Sequence, residues 1–107
     1  MPLHIESVIH QFVAGVGPTI TQLERHNRSL ADQLDRASSS VLLNMVEGQY
    51  SQKGNGTARY FNALGSAGES RACLQLARAR YGIEASAQLW DQLDHVIAVL
   101  WKLTRKK

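Results

Sequence analysis

Ser29-Leu30-Ala31-Asp32-Gln33-Leu34-Asp35-Arg36-Ala37-Ser38-Ser39-Ser40-Val41-Leu42-Leu43-Asn44-Met45-Val46-Glu47-Gly48 is the stretch that decides the fold. Within it Leu30, Leu34, Ala37, Val41 and Met45 recur in steps of three and four, the spacing that gathers side chains on one face of an α-helix. Ser29 followed by Asp32 reads as the helix start. The hydroxyl accepts a free backbone N–H, and the carboxylate sits at the positive end of the helix dipole. Leu42, Leu43 and Val46 form a second apolar edge beside the main stripe. The helix is expected to stop between residues 48 and 56, where Gly54-Asn55-Gly56 breaks the period.

The same period extends in both directions. Toward the N-terminus, Ile5, Ile9, Phe12, Val16, Ile20 and Leu23 define a first helix, with a kink or break expected at Gly15, Gly17 and Pro18. Toward the C-terminus, Thr57 is placed to cap a third helix, with Phe61, Leu64, Gly68, Ala72 and Leu76 expected on its inward face and Gly82 closing it. A fourth helix carries Leu89, Leu93, Val96, Leu100 and Leu103 on one stripe, and Trp90, Ile97 and Trp101 on a neighbouring one. No segment alternates with period two, so a sheet has nothing to be built from. The reading is all-α: an up-down-up-down four-helix bundle forming one domain over residues 1–107.

Composition narrows the function. An apolar fraction of 44% and a charged fraction of 20% are those of an ordinary globular chain. Cys73 is the only cysteine; with no partner for a disulfide or a thiolate metal site, it reads as core packing in a reducing cytosol. The longest strictly apolar run, Val96 to Trp101, falls far short of the roughly 20 residues that span a membrane. No basic leader opens the chain, and Glu6 and His10 interrupt its first apolar residues, so the expected location is cytoplasmic with no membrane partner. Enzyme chemistry has no residues to rest on. The paired Glu-x-x-His ligands of di-metal bundles are missing, and His4, His10, His26 and His95 are scattered. Ser39 and Ser40 have no histidine near in sequence. Neither metal nor cofactor is expected.

Charge and excess apolar surface point to partners. The net charge of +3 is unevenly placed. Lys53, Arg59, Arg78 and Arg80 in the third quarter and Lys102, Arg105, Lys106 and Lys107 at the end make the candidate contacts to RNA or DNA phosphates. Because helical spacing turns Phe61 inward, Tyr60 is expected to be the aromatic available to stack on a base, and strong single-strand discrimination is not expected. Helices two and four are each apolar around more than one face, more than one bundle core can cover. Leu42, Leu43, Val46, Trp90 and Trp101 are therefore candidate contacts between copies of the chain.

Three local patterns carry a family resemblance: Gln33-x-x-Arg36-Ala37, Asn44-Met45-Val46-Glu47-Gly48, and Gly65-Ser66-x-x-Glu69. With them the chain resembles the four-helix-bundle proteins encoded by intervening sequences of bacterial 23S ribosomal RNA genes. The same family includes the accessory variability determinant of diversity-generating retroelements. The resemblance covers helices two and three best, and implies a bundle assembling into a homopentamer. For the retroelement members it also implies an accessory role, binding nucleic acid and a reverse transcriptase. The matched residues Arg36, Asn44, Glu47, Gly48, Gly65, Ser66 and Glu69 are read as architectural. Glu47 is expected to be held by a basic neighbour such as Arg36 or Arg71, Glu69 to neutralise one of the same two arginines, and Gly65, Gly68 and Ala72 to admit a neighbouring helix.

Overall fold

A computed structural model describes residues 3–51 and 55–105. Four helices follow in order: α1 Leu3–Glu24, α2 Arg28–Tyr50, α3 Asn55–Tyr81 and α4 Ala87–Arg105. No strand occurs among the described residues. Each helix packs on its sequence neighbour, and α1 packs on α4, which closes the bundle. Cross-helix pairs fix the directions. Gln33 meets Glu69 and Glu47 meets Arg59, so α2 and α3 are antiparallel. Arg71 meets Asp94 and Arg78 meets Glu84, so α3 and α4 are too. The fully buried large side chains come from all four helices: Phe12, Leu34, Met45, Leu74, Leu93 and Leu100 are among them.

The expected break in α1 does not occur. The helix runs through Pro18, and both Ala14, whose carbonyl the proline leaves without its usual donor, and the ring itself face solvent. Water can satisfy that carbonyl, which lowers the cost of an interior proline. The start of α2 is also shifted from expectation. Asn27, not Ser29, caps it: its Oδ1 accepts the Leu30 N–H at 2.9 Å. The same side chain donates to the Tyr81 hydroxyl at 3.0 Å, and the His26 ring stacks on Tyr81. Local sequence could offer either cap; the hydroxyl contributed by α3 favours the asparagine. At the far end of α3, Gly82 takes a left-handed φ of +64° and its N–H bonds the Arg78 carbonyl, so the expected glycine stop is present.

Helix α3 is rotated relative to expectation. Its buried side is Ala63, Ala67, Ser70, Cys73, Leu74 and Ala77, with Leu64 half-buried, whereas Phe61, Gly68, Ala72 and Leu76 face solvent. Small residues on the buried side let α2 and α3 approach closely, and these two helices share the most extensive interface in the chain. Polar groups inside it are satisfied locally: Ser38 Oγ donates to the Leu34 carbonyl and Ser70 Oγ to the Ser66 carbonyl. Burial, and next the Glu69 carboxylate, push the Cys73 thiol upward, so little of it is thiolate at neutral pH. That fits a packing residue.

Candidate nucleic-acid interface

The three sequence patterns prove to be two sides of one seam. Along the antiparallel contact of α2 and α3, Gln33 Nε2 donates to Glu69 Oε2 at 3.2 Å. One step on, Asn44 Nδ2 donates to both the carbonyl and the Oγ of Ser40, and Ser66 Oγ donates to Ser40 Oγ at 2.9 Å. Next, Glu47 pairs with Arg59 at 3.3 Å. Last, the Tyr60 ring lies on Gly48, where a Cβ would come within 2.5 Å of Tyr60 Cε1. Gly48 is thus required by a close approach inside the helix, which continues past it to Tyr50. The expected partners are corrected: Glu47 is held by Arg59, not by Arg36 or Arg71, while Glu69 takes Gln33 and Arg71 goes to Asp94. Arg36 is exposed and joins none of these pairs. Gly65 and Gly68 admit no helix of this chain, because nothing lies within 4 Å of where their Cβ atoms would be.

The candidate phosphate contacts do not form one surface. The long axis of the chain measures 43 Å, and the antiparallel helices sort these residues to its opposite ends. Arg78 and Arg80 lie in the last turn of α3, roughly 30 Å along that helix from Arg59 at 1.5 Å per residue. Arg78 is moreover engaged within the chain: it pairs with Glu84 and its guanidinium lies over the Trp90 ring at 5.2 Å. Arg59, near the start of α3, shares its end of the bundle with Lys102 and Arg105 in the last turn of α4. Lys53, Lys106 and Lys107 lie outside the described residues; the first belongs to the segment joining α2 to α3, and the other two directly follow Arg105 in the sequence.

The candidate contacts between chains also divide. Trp90 is half-buried, with its Nε1 donating to Glu84 and with Arg71 and Arg78 beside its ring. Leu42 and Val46 are half-buried, whereas Leu43 is 61% exposed and Trp101 52% exposed. Sequence reasoning missed two more exposed aromatics, Tyr50 at 86% and Phe61 at 47%. The expected pair at the start of α3 is inverted, since Tyr60 packs on Gly48 and Phe61 points out. Tyr50 carried a signal: it lies seven residues from Leu43 and four from Val46, on the edge of α2 opposite Leu34 and Val41.

Elsewhere the surface offers less. A shallow groove between α1 and α4 is lined by Gln11, Gly15, Ser86, Gln88, Leu89 and Gln92 and has no charged side chain. Among the described residues no group of three or more His, Cys, Asp or Glu is placed to hold a metal ion, and no helix is long and apolar enough to cross a membrane.

An all-helical chain of four antiparallel helices, with a small-residue seam between its second and third helices and cations and aromatics at one end, is the class of protein these observations define. Comparison with family models makes it particular. The model for the 23S rRNA-intervening sequence protein family matches residues 4–102, and the chain belongs to that family. No curated protein and no solved structure matches it.

Proposed function

We propose that this chain is a non-enzymatic, cytoplasmic accessory protein that binds RNA or DNA with little sequence preference through the end of the bundle carrying Arg59, Lys102 and Arg105. The carrying observation is where the charge lies. Arg59, Lys102 and Arg105 lie at this end, and in the sequence Lys106 and Lys107 directly follow Arg105 while Lys53 falls between α2 and α3. The acids on the helix segments there are Glu6 and Glu47, the latter paired with Arg59. The excess of positive charge falls within residues 53–59 and 102–107 of the sequence. A polyanion meets its cations there, and counterion release supplies affinity without reading bases.

The protein works as a homo-oligomer in this reading, a pentamer if the resemblance holds for assembly, with a reverse transcriptase as a further partner if this copy serves a retroelement. What supports self-association is the outward face of α3. Phe61, Gly65, Gly68, Ala72 and Leu76 make an exposed stripe without a charge, and a surface helix rarely leaves such a face to water. Together with Leu43 it favours the second reading, a self-assembling module with no nucleic-acid role.

Two measurements test both. Sedimentation of the intact chain should give a species several times 11.9 kDa; a monodisperse monomer at micromolar concentration overturns assembly. Ala72→Arg, on the exposed stripe, should dissociate the oligomer while leaving helix content unchanged. Titration with RNA or DNA at several salt concentrations should give a log–log slope of roughly −0.7 to −0.9 per phosphate contacted. Arg105→Ala should make that slope shallower. An oligomer with no detectable binding at low salt leaves the module reading.

A further inference from the structure

Resting on the nucleic-acid reading, we infer that Trp101 and Arg105 form a base-stacking platform, so that this end of the bundle prefers unpaired over duplex nucleic acid. Three of the five large apolar side chains that the described residues expose are aromatic: Tyr50, Phe61 and Trp101. They come from the last turn of α2, the first turns of α3 and the last turns of α4. Antiparallel packing brings those three segments to the same end, the one that also holds Arg59, Lys102 and Arg105. At the opposite end the aromatic rings are used within the chain: Tyr81 is stacked on His26 and bonded to Asn27, and Trp90 is bonded to Glu84 beside two arginines. The exposure is therefore specific to the cationic end.

Trp101 is the centre of this platform. The Arg105 guanidinium lies 3.4 Å from the centre of its ring, and Arg105 Nη1 also donates to Thr104 Oγ1. A planar cation is thereby held against the Trp101 ring, while half of the tryptophan remains open to solvent. Arg105 has no carboxylate partner among the described residues, so its charge is unspent. An indole with an adjoining guanidinium offers two flat surfaces for a nucleobase, and Lys102, one position along the helix, supplies a cation for the phosphate beside it. Bases in a duplex have their faces occupied by their neighbours. Only an unpaired strand can use the rings, whereas either form can use the cations. The arrangement changes the expectation from sequence: the stacking residue is Trp101, not Tyr60, and strand type is discriminated.

The test uses the intact oligomer and two fluorescent probes, a twenty-nucleotide oligothymidine and a twenty-base-pair duplex, compared by anisotropy at the same salt. The wild-type chain should bind the single strand more tightly. Trp101→Ala should weaken single-strand binding about 5- to 150-fold, the range that loss of one stacked base produces, and leave duplex binding nearly unchanged. Trp101→Phe should restore part of the loss. A second readout is intrinsic fluorescence: in Trp90→Phe, where Trp101 is the one indole, oligothymidine should quench the emission and duplex should not. Equal losses on both probes, or single-strand binding that Trp101→Ala does not weaken, would overturn the platform while leaving the nucleic-acid reading standing. Dissociation of the oligomer by Trp101→Ala would also overturn it, because the ring would then be a contact between chains. Failure of the wild-type oligomer to bind either probe removes the nucleic-acid reading itself.

Discussion

The two ends of this bundle are made from similar residues and use them in opposite ways. At the end formed by the α1–α2 turn, the close of α3 and the start of α4, Tyr81, Trp90 and the arginines beside Trp90 have partners in the chain. Asn27 bridges the α2 cap to Tyr81, Arg78 and Trp90 share Glu84, and Arg71 takes Asp94. At the other end Tyr50, Phe61 and Trp101 are exposed, and Lys102 and Arg105 have no carboxylate among the described residues. A tryptophan beside an arginine is therefore not one motif with one meaning. Where acids complete the cluster it holds helices together, and where they are absent it is a surface that attracts a partner.

The sharpest way to break this contrast is to remove each tryptophan and compare stabilities by urea denaturation. Trp90→Ala takes away a half-buried ring, its hydrogen bond to Glu84 and two guanidinium contacts, and should cost about 2 kcal/mol, below the range for a fully buried tryptophan. Trp101→Ala removes a half-exposed ring and should cost less than about 0.5 kcal/mol. Equal losses would mean that both rings hold the fold together, and the distinction between the ends would fail.

A smaller effect sharpens the account of the α2–α3 seam that supports the exposed end. Gly48→Ala adds a methyl where the Tyr60 ring already lies. Overpacking costs about 1–3 kcal/mol and exceeds the roughly 0.5–1 kcal/mol gained by replacing a helical glycine, so the variant should melt lower. With Tyr60→Ala in place the clash is gone, and the same substitution should raise stability. Absence of that sign reversal would show that the ring does not rest on Gly48.

The smallest effect concerns Glu47. Its pair with Arg59 is about half open to water on both sides, so Glu47→Gln should change stability by no more than about 0.5 kcal/mol. The same substitution removes the acid nearest Arg59 and should tighten nucleic-acid binding modestly at low salt. Weaker binding without a change in melting would instead place Glu47 in direct contact with the ligand.

Much of the fold was legible in the sequence because its signals are local. The stripes of α1, α2 and α4 pack into or against the core as their spacing predicts, and Gly82 ends α3 in the conformation that favours glycine. The family patterns were visible as patterns, but their pairing was not, since Gln33 with Glu69 and Ser40 with Ser66 are matched across two helices. The site was less legible still. Its basic residues are visible one by one, yet that Arg59 shares an end with Lys102 and Arg105 while Arg78 lies at the other depends on the antiparallel packing of α3 and α4, which distant residues decide.

The residues alone determined that this chain makes four helices and where three of them bury their stripes. They could not determine the orientation of α3. That helix carries small or apolar residues around most of its circumference, so the period of 3.6 is satisfied either by Phe61, Gly68, Ala72 and Leu76 or by Ala63, Ala67, Leu74 and Ala77. Packing decided between them. The α2 surface presents Ala37, Ser40 and Gly48, which accept the closely approaching alanine and serine side of α3 and the Tyr60 ring; a face carrying Phe61 and Leu76 would hold the two backbones apart. Turning the small side inward sends the other face to the surface and places Phe61 beside the cations.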